Sequence, residues 1–173
     1  MPSALIELQL TELAQLFNSM DPSPFHERDL DHDAEEFIVS WALEHPRDRD
    51  LHLILHLAKA APGQMEIVQE SVRHYFSYRA EMLWREFRQL MKEGRSSLLI
   101  GLTFMTSCQL AALLLIHGND TTQTVMREGL TILGWVAMWR PLEIYLYRWW
   151  PLLAKRRLYE RLSRMTVDVR LAA

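Results

Sequence analysis

Two long apolar segments stand out in the hydropathy pattern of the second half of the chain. The first, Ser97–His117, reads SLLIGLTFMTSCQLAALLLIH and contains no Asp, Glu, Lys or Arg. A helix needs about 20 such residues to cross a hydrocarbon core about 30 Å thick. A buried helix of a soluble protein is usually shorter and carries a polar stripe. The pattern therefore predicts a transmembrane helix at 97–117.

The second segment, Gly129–Leu153, is long enough to cross but carries Arg140, Glu143 and Arg148. Its uncharged part, Gly129–Trp139, has eleven residues and is too short to cross alone. Arg140 and Glu143 share a helix face, and their pairing would lower the cost of a charge in lipid. The Tyr and Trp residues at 145–150 resemble an interfacial aromatic belt, from which Arg148 can snorkel. We predict a second transmembrane helix at 129–150, with a re-entrant or interfacial helix as the alternative.

Pro141 lies beside the predicted intramembrane polar pair, Arg140 and Glu143. Proline removes one helical hydrogen bond, here to the carbonyl of Ala137, so a kink is expected. Two interpretations of the pair stay open. Arg140 is either held at the cytoplasmic interface by Glu143 or a lipid phosphate, or it contacts a partner helix or a conduction path.

Basic residues flank the two segments on one side of the predicted membrane. Arg85, Arg88, Lys92 and Arg95 precede the first segment, and Lys155, Arg156, Arg157, Arg161 and Arg164 follow the second. The link between the segments offers only Arg127. The positive-inside rule then places both termini in the cytoplasm. The five bases after the second segment are predicted to face anionic lipid headgroups. No signal peptide is expected, because the first 20 residues lack a basic start.

Shorter periodic patterns occur in the flanking regions. Leu51–Leu57 alternates leucines with His52, Ile54 and His56 and predicts a strand, and Thr166–Leu171 predicts a second strand beside it. The spacing of apolar residues in Leu5–Phe17 predicts a helix. Another helix is predicted with Asp33 as its N-cap and Pro46 as its stop. Gln64–Glu93 predicts a long helix that leads into the first span, either straight or kinked near Gly94.

These elements predict a mainly α membrane protein. It has a two-helix transmembrane hairpin and a small cytoplasmic α+β domain built from both chain ends. The expected organisation is an N-terminal cytoplasmic part at 1–95, spans at 97–117 and 129–150 joined by an external loop at 118–128, and a basic helix and returning strand at 151–173.

Charge is distributed unevenly over the 173 residues, although the net charge is only −3. Residues 1–50 carry 12 acidic and 3 basic side chains, whereas residues 128–173 carry 4 acidic and 8 basic ones. An acidic cytoplasmic part without a binding motif argues against nucleic acid as a partner. The single cysteine, Cys108, argues against a disulfide scaffold, and its place in the first span indicates a packing residue.

The acidic loop before the predicted Asp33 cap contains candidate metal ligands at His26, Asp29, Asp31 and His32. It lacks the spacing of an EF-hand, and the chain contains no HExxH motif. The favoured interpretation is a solvated loop that caps a helix, with a metal site as the alternative. His52 and His56 lie roughly 13 Å apart on a strand, too far to share a metal ion, and are expected to contact a neighbouring helix. No cofactor is predicted.

Two stretches carry a resemblance to a known family: LFNSMDPSPFHERDLDHDAEEFIVSWA (16–42) and EGLTILGWVAMWRPLEIYLYRWWPLL (128–153). Together they resemble an uncharacterised family of small bacterial inner-membrane proteins with a two-helix transmembrane hairpin. The resemblance implies that fold and a multi-pass inner-membrane location, and it implies no activity.

No nucleophile motif, phosphate loop or dinucleotide fingerprint occurs in the sequence. We therefore expect a non-enzymatic membrane-anchored interaction or assembly module, with a protein partner or a second copy of itself. Two alternatives remain at this point: a small homo-oligomeric channel or transporter subunit, and a metal-dependent membrane-associated enzyme that uses the His26–Asp33 loop.

Overall fold

The computed structural model describes residues 4–21, 28–46, 49–58, 64–116 and 120–171. It is mostly helical, with one small parallel sheet of three strands. In chain order the elements are β1 (Ala4–Leu10), a 3₁₀ turn (Leu13–Leu16), α1 (His32–Glu44), β2 (Leu51–Leu57), α2 (Gln64–Leu115), α3 (Thr121–Ala137), α4 (Trp139–Glu143), a π-helical segment (Ile144–Arg148), α5 (Trp149–Leu162) and β3 (Thr166–Leu171). Two compact units divide the chain: Met1–Leu83 with Ala154–Ala173, and Trp84–Leu153.

The sheet of the first unit has the order β1-β2-β3, and all its strands are parallel. Ile6, Leu53 and Val167 lie side by side in register and are almost fully buried. Alternate positions of each strand thus form one apolar face, as expected for a pleated strand. The predicted strands at Leu51–Leu57 and Thr166–Leu171 are confirmed as neighbours, and the sheet joins the two ends of the chain.

The predicted helix at Leu5–Phe17 is wrong. Residues Ala4–Leu10 form β1 and pair along their whole length with β2. The apolar residues at 4, 6, 8 and 10 alternate as in a strand, whereas those at 5, 6, 13, 16 and 17 have helical spacing. Pairing with β2 decides between the two structures. The N-cap of α1 is also shifted: the side chain of Asp31, not Asp33, accepts the hydrogen bond from the Asp33 N–H at 3.0 Å.

The opposite face of the sheet is polar. His52 Nε2 lies 2.7 Å from Asp168 Oδ2 on β3, and His56 Nε2 lies 3.7 Å from Glu7 Oε2 on β1. Ile54, between the two histidines, is 2% exposed. The partners of both histidines are therefore on neighbouring strands, rather than on a helix as the sequence pattern suggested.

The helix α2 is continuous over 52 residues and passes Gly94 without a break. Its apolar part has a mean hydropathy of 2.0, and only 17% of that part is buried. Within the described ranges, α2 is the one helix that is long and apolar enough to cross a membrane. Cys108 lies on its buried side, in agreement with a packing role.

The second apolar segment is not one regular helix. The helix α3 stops at Ala137, Met138 forms a turn, and five π-helical residues follow α4. Pro141 has no N–H to offer the Ala137 carbonyl, which accounts for the interruption predicted beside it. Residues 129–150 are therefore helical with the interruption expected beside Pro141, and a membrane crossing by this segment stays a prediction.

Contacts within the second unit show that α2 and the interrupted segment pack antiparallel. Gln109 approaches Thr131 at 3.5 Å, and a Cβ at residue 134 would lie 3.1 Å from the Cγ of Met105. Further along, a Cβ at residue 101 would lie 3.0 Å from the Ala137 carbonyl oxygen. Gly101 therefore allows a backbone approach to the carbonyl that Pro141 leaves without its helical donor.

Replacing Gly101 with alanine should destabilise this pair of helices. The new methyl group meets a backbone oxygen, which cannot rotate away as a side chain can, so we expect a loss of about 1–3 kcal/mol in the free energy of unfolding. The matched control is Gly129→Ala, because a Cβ there meets nothing within 4 Å. Denaturant titration in detergent should show G129A equal to or above the wild type and G101A below it; equal stabilities would contradict the close approach.

Candidate functional site

A cluster of charged side chains in the first unit is centred on Glu35. This carboxylate is 7% exposed and lies on the buried side of α1. Glu35 precedes Ile38 by three residues and Ala42 by seven, so it belongs to the apolar stripe of the helix. A charge in that position needs partners, because burial without them is costly.

Three side chains from two other helices supply those partners. The Tyr75 hydroxyl donates to Glu35 Oε2 at 2.6 Å, and the Arg79 guanidinium donates to Oε1 at 3.0 Å. The Tyr159 hydroxyl also donates to Oε1. Tyr75 and Arg79 belong to α2 and Tyr159 belongs to α5, so the carboxylate joins α1, α2 and α5. We call these four residues the Glu35 cluster.

The electrostatics of the cluster favour a permanent anion beside two neutral phenols. Burial opposes the ionisation of Glu35, but hydrogen bonds from Tyr159, Tyr75 and Arg79, with the charge of Arg79, outweigh it and lower the pKa of Glu35 below 4.5. Burial, with the hydrogen bond to Glu35, raises the pKa of Tyr159 to about 12 and that of Tyr75 well above 10. A carboxylate with a lowered pKa and an Oε1 already shared by two donors is a poor general base at neutral pH. The cluster therefore acts as a fixed tie between helices.

The sequence-based search missed this cluster. Its signal was present, because a glutamate on the apolar stripe of α1 implies a buried partner. Which residues bind that charge depends on how α1, α2 and α5 pack together. In the sequence, Tyr75 and Tyr159 cannot be told apart from other aromatic core residues.

The second unit contains the predicted pair of Arg140 and Glu143, whose side chains form an ion pair at 3.2 Å. The structure adds a third member, because Arg140 also pairs with Glu93 of α2. The three side chains are 40–49% exposed. Glu93 lies four residues before Ser97, where the apolar run of α2 begins, so the cluster lies near the end of that run.

The predicted metal ligands that the structure describes have different structural roles. Asp31 caps α1, Asp29 donates its backbone N–H to the Asp21 carboxylate at 2.9 Å, and His32 begins the helix. His26 lies outside the described residues. Across the ranges that the structure describes, no three His, Cys, Asp or Glu side chains are grouped to hold a metal ion.

The five basic residues at 155–164, in α5 and just after it, differ in their contacts. Lys155, Arg157 and Arg164 are exposed, whereas Arg156 pairs with Glu160 at 2.7 Å. Arg161 donates to the backbone carbonyls of Pro46 at 2.9 Å and of Arg49 at 2.7 Å. The predicted lipid-facing set thus contains two guanidinium groups that already have protein partners.

Replacing Glu35 with glutamine should lower the free energy of unfolding by about 2–4 kcal/mol at pH 7, because charged hydrogen bonds to two tyrosines and an arginine are lost. The stabilisation by Glu35 is complete above pH 4.5 and disappears as the pH falls through its lowered folded-state pKa. The difference between variant and wild type should therefore shrink below pH 4.5. Glu36→Gln, at an exposed neighbouring position, is the control and should change little.

Denaturation curves recorded between pH 3 and pH 11 test the stability contributions of Glu35 at low pH and of Tyr159 at high pH. Because the folded-state pKa of Tyr159 is raised to about 12, its contribution is complete below pH 10 and is lost as the pH rises towards 12. A difference between E35Q and the wild type that stays constant down to the lowest pH would contradict an ionised Glu35.

No protein-family model, curated protein or solved structure matches this chain. The resemblance to small bacterial inner-membrane proteins with a hairpin therefore stays a prediction. Any functional inference has to come from the two charged clusters and the helices that carry them.

Proposed function

We propose that the protein is a two-span protein of the bacterial inner membrane, with both termini in the cytoplasm, that serves as a non-enzymatic interaction or assembly module. One observation carries the membrane part of this proposal: Arg127 and Arg140, on either side of the uncharged run of the second segment, bond to Ile116 and Glu93, at opposite ends of the apolar part of α2.

Arg127 and Arg140 both extend away from the middle of the helix pair. The Arg127 guanidinium donates to the Ile116 carbonyl at 3.1 Å, and the Arg140 guanidinium pairs with Glu93. Glu93 and Ile116 are 23 residues apart on the chain, which corresponds to about 35 Å along a helix. This length exceeds the hydrocarbon core of about 30 Å. The eleven uncharged residues at 129–139 are therefore sufficient, because the charges beside them snorkel to the two surfaces.

Large apolar side chains on both segments support the same proposal. They point away from the helix pair, and they include Leu99, Ile100, Phe104, Leu110 and Leu113 on α2 and Ile132, Leu133, Trp135, Val136 and Trp139 on the second segment, all at least 47% exposed. Exposed apolar surface of this extent marks a membrane or protein contact. Hydrocarbon is the environment that suits it on both segments at once.

Orientation follows from the basic residues on either side of the pair. The positive-inside rule places the bases at 85–95 and 155–164 in the cytoplasm. The acidic N-terminal region and the parallel sheet are then cytoplasmic, and the sheet is the part available to a protein partner. The half-exposed Glu93, Arg140 and Glu143 favour a second candidate, a homo-oligomeric channel in which these polar groups meet in neighbouring copies.

Labelling of single cysteines with a membrane-impermeant maleimide tests the topology. In a Cys108→Ser background, Thr11→Cys, Thr122→Cys and Arg170→Cys place one thiol before, between and after the two segments, at exposed positions. In right-side-out vesicles we expect only the thiol at 122 to react, and those at 11 and 170 to react after permeabilisation.

Other labelling patterns have definite meanings. Reaction at both 122 and 170 in sealed vesicles indicates a single crossing by α2 and rejects the two-span proposal. Equal reaction at all three positions rejects membrane insertion. Mass determination of the detergent-solubilised protein then separates the two roles, because a closed ring of identical chains favours a channel and a foreign protein favours an interaction module.

A further inference from the structure

A groove in the second unit runs between α2 and the start of α5. Its volume is about 400 Å³, within the range of small-molecule sites. Glu86, Leu90 and Glu93 of α2 form one wall, and Arg148 and Leu152 form the other. We call it the Glu86–Arg148 groove.

The charges in the groove are only partly neutralised by the protein. Glu93 pairs with Arg140. In contrast, among residues with described positions, neither Glu86 nor Arg148 has an ion pair or hydrogen-bond partner. An anion and a cation thus line the same groove without contacting each other. Such an arrangement is complementary to a ligand that carries both a positive and a negative group.

Beside the polar Gln89 and Glu93, the lining contains an apolar part formed by Leu90, Pro151 and Leu152, which suits a ligand with a hydrocarbon part. Leu90 is buried and Leu152 is half-buried. The indole rings of Trp149 and Trp150 lie next to Arg148 in the chain, with ring centroids 4.4 Å apart. Aromatic side chains of this kind are enriched where hydrocarbon meets headgroups.

We propose that the Glu86–Arg148 groove binds a phosphate that carries a primary amine, the chemistry of the phosphatidylethanolamine headgroup. Arg148 donates paired N–H groups to phosphate oxygens, a geometry that guanidinium groups favour. The ammonium group of the ligand donates to the Glu86 carboxylate. No covalent step is involved.

The depth of the groove bears on the source of this headgroup, given the membrane insertion proposed above. Glu93 lies four residues before Ser97, about 6 Å along the helix from the start of the apolar run. The headgroup layer on each side of a bilayer is roughly 5–8 Å thick. The membrane end of the groove thus lies at headgroup depth. Glu86 lies eleven residues before Ser97, about 16 Å along the helix, so a lipid has to rise partly out of the bilayer to reach it, whereas a soluble ligand reaches it directly.

This chemistry predicts a definite order of lipid preference. A primary ammonium donates hydrogen bonds to a carboxylate, whereas the quaternary ammonium of phosphatidylcholine has no N–H. Phosphatidylglycerol offers the phosphate without any positive charge. The purified full-length protein in detergent micelles should therefore retain phosphatidylethanolamine about tenfold more than either lipid of the same acyl chains, measured by native mass spectrometry.

Two substitutions test separately which residue binds the phosphate and which binds the ammonium group of the ligand. Arg148→Gln should reduce phosphatidylethanolamine retention about tenfold, and Glu86→Gln should remove the preference over phosphatidylglycerol while phosphate binding remains. Arg88→Gln removes an exposed charge of α2 outside the groove and should behave as the wild type. Soluble phosphoethanolamine distinguishes the source: competition at concentrations similar to the lipid indicates a free metabolite, and its failure to compete indicates the lipid.

Equal retention of the three lipids by the wild type would overturn the groove proposal, as would unchanged selectivity in E86Q. The micelle experiment requires no bilayer crossing, so its result is independent of the labelling experiment. A two-span topology without lipid selectivity rejects the groove alone. Selectivity with any other topology rejects the proposed membrane arrangement alone.

Discussion

A buried carboxylate determines how the helices of the first unit meet. Glu35 occupies a position on α1 where an apolar residue would otherwise pack, and its charge is tolerated because α2 and α5 supply two phenols and a guanidinium. Both α2 and α5 continue into the second unit. A pairing that satisfies one anion thus fixes the two helices through which the chain leaves and re-enters the sheet-containing unit.

Much of this architecture follows from periodicity, and the exceptions have physical causes. The strands β2 and β3 alternate so regularly that their pairing could be expected, and the long uncharged run of α2 could be recognised by composition. The first strand is one exception, since apolar residues at 5, 6, 13, 16 and 17 have helical spacing while those at 4, 6, 8 and 10 alternate, and only pairing with the edge of β2 decides between the two. The Glu35 cluster unites residues up to 124 positions apart, and no local pattern encodes such a meeting.

The uncharged run of the second apolar segment is short, and its contacts with α2 extend well beyond it. It has eleven residues, but the side chains of Arg140 and Arg127 reach Glu93 and the Ile116 carbonyl, at the two ends of the apolar part of α2. The irregular backbone around Pro141 is accommodated because Gly101 admits the Ala137 carbonyl at close range. The proposed membrane insertion is compatible with this irregular backbone, because lipid tolerates such irregularity where protein covers the polar groups, and α2 lies against them.

The parallel sheet has a consequence for the order in which the chain folds. The strands β2 and β3 are adjacent, yet more than a hundred residues separate them, including the whole second unit. That unit is in effect an insertion within a single β–α–β crossover. Closing so long a loop is entropically slow, and β3 is synthesised only after the whole second unit. The central strand therefore keeps one unpaired edge until β3 has been synthesised, and pairing with β3 protects that edge from pairing with another molecule.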